Sequence, residues 1–176
     1  ESIFVATSNG INELSVVTNS VIPNNSKIFS ILVGNNIYDL AIYNDKLYIA
    51  SELGLFSFDL ITNSHILISD KVFNKIQIEN SIIYALNDNL WIIDGDNEDL
   101  IYSSLIDFSI FDNFLWMNYG YYTKLIDLDT SQSWKYSFED GIPGTKIYKI
   151  ECDKDWVWFI TDDGVGFYNW SNNHID

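Results

Sequence analysis

Three kinds of side chain are spaced for chemistry in this sequence: carboxylates, histidines with one cysteine, and a knot of tyrosines. In IIDGDNEDL, Asp94, Asp96, Glu98 and Asp99 carry oxygens at near-alternate positions, as a Ca²⁺ loop does. Such a loop also needs a glycine at its sixth position and a bidentate glutamate at its twelfth. Neither follows, so the stretch reads as a solvated turn. Asp39, Asp107 and Glu151 fall on or near short apolar runs that return along the chain. Residues from such repeated strands can converge, and paired carboxylates can cleave a glycosidic bond. That chemistry requires a separation of roughly 5 to 10 Å and a raised pKa on one partner. The sequence displays neither, and a polar lining is the plainer reading.

His65 and His174 have no His or Cys companion at ligand spacing, which argues against a zinc-type site. Cys152 lies in the strand-like KIYKIECD with no histidine close by in sequence, and reads as a small buried hydrophobe. There is no G-x-S-x-G elbow and no phosphate loop. No catalytic residue, metal ligand or cofactor is therefore assigned. The remaining candidate is NYGYYTK, where Tyr119, Tyr121 and Tyr122 crowd into one turn. Exposed rings there would stack on a sugar or dock a protein; the competing reading folds them onto neighbouring strands.

The elements that must position these residues repeat. SIFVATSNGINELSV, KLYIASELGLFSFDL, SIIYALNDNLWIIDG, FLWMNYGYYTKLIDLD and WVWFITDDGVGFYNWSNN share one grammar: an apolar run, a short polar or glycine turn, and a second apolar run. Aligned on their aromatic residue, they place Phe4, Tyr48, Tyr84, Trp116 and Trp158 in register at intervals of 44, 36, 32 and 42 residues. The runs are short, rich in β-branched and aromatic residues, and bounded by Asn, Asp, Gly and Ser, without a sustained 3.6-residue period. A period near 40 residues with four strands each is that of a β-propeller. The second repeat predicts strand A over Ile37 to Tyr43, B over Lys46 to Ser51, C over Leu55 to Leu60 and D over His65 to Ser69. Strand B is the most uniformly apolar, as befits a strand covered on both faces. Its central aromatic is then expected to wedge between blades.

The fold class expected is all-β, a propeller of four-stranded blades with about four and a half to five blades present. Residues 1–176 form one domain or a portion of one, with repeats roughly over 1–33, 34–70, 71–104, 105–138 and 139–176. The strands run B, C, D at the start and A, B, C at the end. These end pieces overlap instead of completing one blade, so a larger propeller is expected, with the terminal HID beginning a further strand. The turn holding the three tyrosines would open on the same rim as the D-to-A loops.

Composition sets the partners. The 47% hydrophobic content suffices for a core. Nine lysines and no arginine face twenty-five acidic residues, for a net charge of −16. A polyanion needs a basic face, so nucleic acid is excluded as a partner, and anionic membrane surfaces are disfavoured. No apolar run is long enough to span a bilayer. The chain opens on Glu1 without a basic and apolar leader, compatible with the removal of a signal peptide.

The segment DGIPGTKIYKIECDKDWVWFITDDGVGFYNWSNN, from Asp140, resembles the two-component regulator propeller repeat. The resemblance lies in D-G-I-P before a strand, the acidic D-K-D turn, an aromatic strand, and T-D-D-G-V leading to F-Y-N. SELGLFSFD and TSNGINELS carry the turn and glycine; ALNDNLWIID lacks the glycine and MNYGYYTKLID displaces it. The family usually has a small residue where this chain has Phe159. The resemblance implies a bacterial protein working in the periplasm or outside the cell, as part of a sensor or surface scaffold that recognises a glycan or protein partner without catalysis. The overlapping end pieces and their open sheet edges separately point to further blades or a partner chain. The alternatives are a polysaccharide-cleaving enzyme using axial carboxylates, and a structural subunit of a larger assembly. In a bacterial chain the sequons Asn24-Asn25-Ser26 and Asn169-Trp170-Ser171 carry no weight.

Overall fold

The computed structural model describes residues 2–23 and 27–170. The chain falls into two compact units, Glu1–Asn87 with Ile93–Asn97, and Asp88–Ile92 with Glu98–Asp176. The first contains β1 (Ser2–Thr7), β2 (Gly10–Ser15), β3 (Ser20–Ile22), a short helix α1 (Lys27–Leu32), β4 (Ile37–Tyr43), β5 (Lys46–Ser51), β6 (Gly54–Asp59), β7 (His65–Ser69), β8 (Lys75–Glu79) and β9 (Ile82–Leu86). The division runs through β10 (Asn89–Asp94) and β11 (Asn97–Ser103). The second unit continues with β12 (Asp107–Phe111), β13 (Phe114–Asn118), β14 (Thr123–Asp127), β15 (Ser133–Tyr136), a 3-10 turn (Phe138–Asp140), β16 (Ile147–Cys152), β17 (Trp156–Thr161) and β18 (Gly164–Asn169).

Five sheets follow chain order: β1-β2-β3, β4-β5-β6-β7, β8-β9-β10-β11, β12-β13-β14-β15 and β16-β17-β18. Each is a blade of a β-propeller, three strands at either end and four in the middle three. This is the order B-C-D, three full repeats, then A-B-C that the sequence predicts. In the second blade, strands A, B and D coincide with their predicted spans, and strand C begins one residue earlier, at Gly54.

Two turn types stamp out the blades. In the B-to-C turns Thr7, Ser51 and Thr161 each donate a hydroxyl hydrogen to the carbonyl of the glycine three residues on, at 2.7, 2.9 and 3.0 Å. Those glycines have φ of +104°, +117° and +116°, a conformation other L residues resist. In the C-to-D turns Ser15, Asp59 and Asp127 accept from backbone N–H groups two and three residues later. This is an Asx-type turn, which a serine mimics.

The core of the first unit gathers Leu47 and Ile49 of β5, Phe56 and Phe58 of β6, Ile37 of β4, and Phe29 and Leu32 of α1, with Phe4 and Ile11 against it. Helix α1 departs from the expectation of a chain without helix. Phe29 and Leu32, one turn apart, are both buried, and the Phe29 ring meets Phe58 edge-on at 5.7 Å. Inside the run KIFSILV the one polar residue is Ser30, too little to reveal a period, so strand and helix read alike. The chain leaves the helix through Gly34 at φ +81°, and the Asn35 amide donates to the Leu32 carbonyl.

The core of the second unit gathers Trp116, Leu125, Ile147, Ile150, Val157, Phe159 and Trp170. Trp116, the register aromatic of β13, is fully buried and lies edge-on to Phe159 of the next blade, the expected wedge. Trp158, its counterpart in β17, is 41% exposed. The expectation of a wedge fails there because no further sheet follows among the described residues. The ring instead packs on its own blade against Trp156 and Phe167.

Candidate functional site

The tyrosine turn lies between β13 and β14 and is held by a closed set of hydrogen bonds. Asn118 accepts from the Gly120 amide at 2.8 Å and donates its Nδ2 to the Ile147 carbonyl at 3.1 Å. The Gly120 carbonyl accepts in turn from the Ile147 amide, and the Tyr119 amide donates to the Tyr122 carbonyl. Thr123 donates its hydroxyl to the Met117 carbonyl at 2.9 Å. Gly120 sits at φ +91°, a left-handed conformation that favours glycine, with the movable Cδ1 of the half-exposed Ile106 beside it.

The three candidate tyrosines divide on this base. Tyr119 and Tyr122 stack with ring centres 4.8 Å apart, and Lys135 places its ammonium 4.1 Å from the centre of the Tyr122 ring. Burial, then the neighbouring Tyr122 and Tyr102, pushes the Tyr119 phenol above its ordinary pKa. Tyr121 stands apart, 71% exposed. The structure thus folds two of the rings inward and presents one.

The same rim carries the D-to-A loop that leads into β16. Ser137 and Asp140 close a capping box around the 3-10 turn, with Asp140 Oδ2 accepting from the Ser137 amide at 2.9 Å and its hydroxyl at 3.1 Å. Further on, Asp162 accepts from the amides of Thr145 and Lys146, both at 2.9 Å, and from the Thr145 hydroxyl. The Lys146 amide, then the Thr145 groups, hold the Asp162 carboxyl below its usual pKa. Beside this loop is a cleft of about 380 Å³ whose walls include Tyr136, Asp140, Pro143, Phe159 and Tyr168. Sequence reasoning did not single it out. Its one legible signal is D-G-I-P set before a strand, the part of the propeller-repeat resemblance whose residues Asp140 to Pro143 line the cleft.

Two of the three candidate carboxylates of the A strands, Asp39 and Asp107, join neighbouring strands. Asp39 accepts from the Leu40 amide at 2.9 Å and the Ile76 amide at 2.8 Å. Asp107, buried, accepts from the Ile150 amide at 2.8 Å, and Ser109 two residues on accepts from the Cys152 amide at 2.9 Å. These two bonds tie β12 to β16, strand A of one blade to strand A of the next. Glu151 is exposed beside them. Cys152 is part-buried, with its thiol donating to Ser109 at 3.2 Å, and so is not the purely apolar filler expected. His65 opens β7, and His174 lies outside the described residues, as do the Asn24-Asn25-Ser26 sequon, Ser171 and the terminal HID. Asp94 and Asp96 are solvent-exposed, and among the described residues no group of three or more His, Cys, Asp or Glu is placed to hold a metal ion.

No family model matches the sequence, and no curated protein matches it. Solved structures do. The extracellular domain of BT3049 from B. thetaiotaomicron, assigned to a hybrid two component system, is 18% identical with a TM-score of 0.70, over 94% of this chain and 25% of its own. That of BT4673 from the same organism, assigned to a one component system, is 12% identical with a TM-score of 0.70 over the same shares. PorZ, a surface component of the type-IX secretion system of Porphyromonas gingivalis, is 11% identical with a TM-score of 0.66, over 98% of this chain and 24% of its own. The chain thus spans about a quarter of the length of each, and its likeness to the two sensor ectodomains bears out, as a fold, the resemblance to the two-component regulator propeller.

Proposed function

We propose that this chain is part of a non-catalytic propeller working in the periplasm or at the cell surface, within a sensor or scaffold, and that it recognises a glycan or protein partner through the tyrosine rim. The observation that carries the reading is the exposed Tyr121 ring on a turn fixed by Asn118, Gly120 and the stacked Tyr119–Tyr122 pair. A rigid base under an exposed aromatic lowers the ordering cost of binding. The likeness to extracellular sensor domains and to a surface component of a secretion system supports the setting. The bonds that occupy Asp39 and Asp107 give the carboxylate-based alternative no support. A larger propeller remains part of the proposal, with additional blades covering the Trp158 face.

The test is a glycan array and a panel of neutral oligosaccharides titrated by calorimetry, run on the wild type and on Tyr121→Ser. A ligand bound by the wild type and at least about tenfold more weakly by the variant supports the rim as the site. A ligand held equally by both removes Tyr121 from recognition and overturns the site.

A further inference from the structure

The cleft beside the D-to-A loop has a chemistry of its own. Tyr136 at the end of β15 and Tyr168 on β18 form two walls, their rings 5.8 Å apart and tilted by 44°. Phe159, nearly fully buried on β17, contributes a third aromatic surface. Gly166 lies directly opposite Phe159 in the β17–β18 register, and a Cβ there would strike Pro143. Glycine at that position is what lets Pro143 close against the sheet. The Phe167 ring belongs to the other face, packed on Trp156 and Trp158 at 5.4 and 5.3 Å.

Among the described residues that line the cleft, Asp140 is the only charged one, and none is a lysine. Its Oδ2 takes both Ser137 bonds, which fixes the carboxylate in place. The Tyr136 phenol is pushed up to about 12 by burial first, then by Tyr168 through its charge and hydrogen bond, and by Asp140. Tyr136 therefore stays neutral at ordinary pH, and Asp140 lines the same cleft as the aromatic walls.

We infer that this cleft binds an organic cation, a methylated ammonium group with a short tail. Aromatic faces attract a cation through the ring quadrupole, and a weakly hydrated quaternary ammonium gives up little solvation to enter among them. A hard ion such as Ca²⁺ would need six or more oxygens where the walls offer one carboxylate. A sugar would need several converging polar groups, whereas the described residues that line this cleft are mostly aromatic or apolar. The volume of about 380 Å³ is within the range of small-ligand sites. The net charge of −16 raises the local concentration of cations over anions. Tyr121 is not part of these walls, so this site stands apart from the proposed rim function.

The test uses choline, its neutral carbon isostere 3,3-dimethylbutan-1-ol, and glucose. Each is titrated by calorimetry and by intrinsic fluorescence, for which Trp116, 5.5 Å from the Tyr136 ring, is a reporter. Choline is expected to bind about tenfold more tightly than the isostere, and glucose not to bind. Asp140→Asn keeps an acceptor for Ser137 while removing the charge, and is expected to weaken choline severalfold; Tyr136→Leu is expected to abolish its binding. Tyr121→Ser is expected to leave it unchanged. Circular dichroism checks the fold of each variant, and if Tyr136→Leu does not fold, the isostere and Asp140→Asn still decide. Equal binding of choline and isostere, preference for glucose, or no binding of choline by the folded wild type overturns the inference.

Discussion

Single carboxylates do two jobs in this chain, closing turns and joining strands. Asp59, Asp127 and Asp162 each sit at a turn and are each held below the usual value of 3.8. The foremost causes are the Thr62 amide for Asp59, the Thr130 hydroxyl for Asp127 and the Lys146 amide for Asp162. A carboxyl whose pKa is depressed by folding stabilises the native state above its unfolded value, and that contribution is lost as pH falls through the folded value. Urea midpoints are therefore expected to fall below pH 3.8, and Asn at all three positions should flatten that fall; proton titration of the carboxyls by NMR gives the individual values. Asp107 works differently, as acceptor for the Ile150 amide in a fully buried setting. Asp107→Ala removes that acceptor and should cost about 1 to 3 kcal/mol in urea unfolding. Asp107→Asn retains an acceptor oxygen and should cost less. Tyr121 was legible as a candidate because three tyrosines crowd one turn. Which of them faces outward was not, since that depends on the Asn118 bonds to Ile147, twenty-nine residues away.

Blades repeat at the element scale because their turns repeat, and the turn glycines differ in what surrounds them. Gly54 and Gly164 share the same left-handed conformation, but a Cβ on Gly54 would run into the Ser69 carbonyl whereas one on Gly164 meets nothing. Gly164→Ala is expected to cost the conformational strain alone, about 1 to 2 kcal/mol. Gly54→Ala should cost more, since β7 must shift as well; paired thermal melts of the two variants measure the difference. Strands A to D were legible because short polar or glycine turns punctuate the apolar runs, a local signal that the backbone obeys directly. Helix α1 was not, because its burial of Phe29 and Leu32 against Phe58 is a tertiary contact, and the local pattern fits either structure. The cleft was equally hidden. It needs Phe159 opposite Gly166, with Pro143 brought in from a separate loop, and only the β17–β18 register joins them.

On the scale of the whole molecule, charge and exposed apolar surface oppose each other. The last blade leaves Trp158, Ile160, Val165 and Phe167 between 41% and 65% exposed, a contiguous apolar face of the kind that drives association. A net charge of −16 keeps chains apart through mutual repulsion, and every tenfold rise in salt shortens the reach of that repulsion about threefold. Self-association should then increase with salt, the reverse of what an assembly held by ion pairs would do. Trp158→Thr with Phe167→Thr leaves the net charge and the strand propensity intact while removing the largest rings from that face. Light scattering of the wild type is expected to rise between about 0.05 and 0.5 M sodium chloride, and that of the double variant to stay flat. If both rise together, the apolar face is not the cause, and the association must arise from another surface.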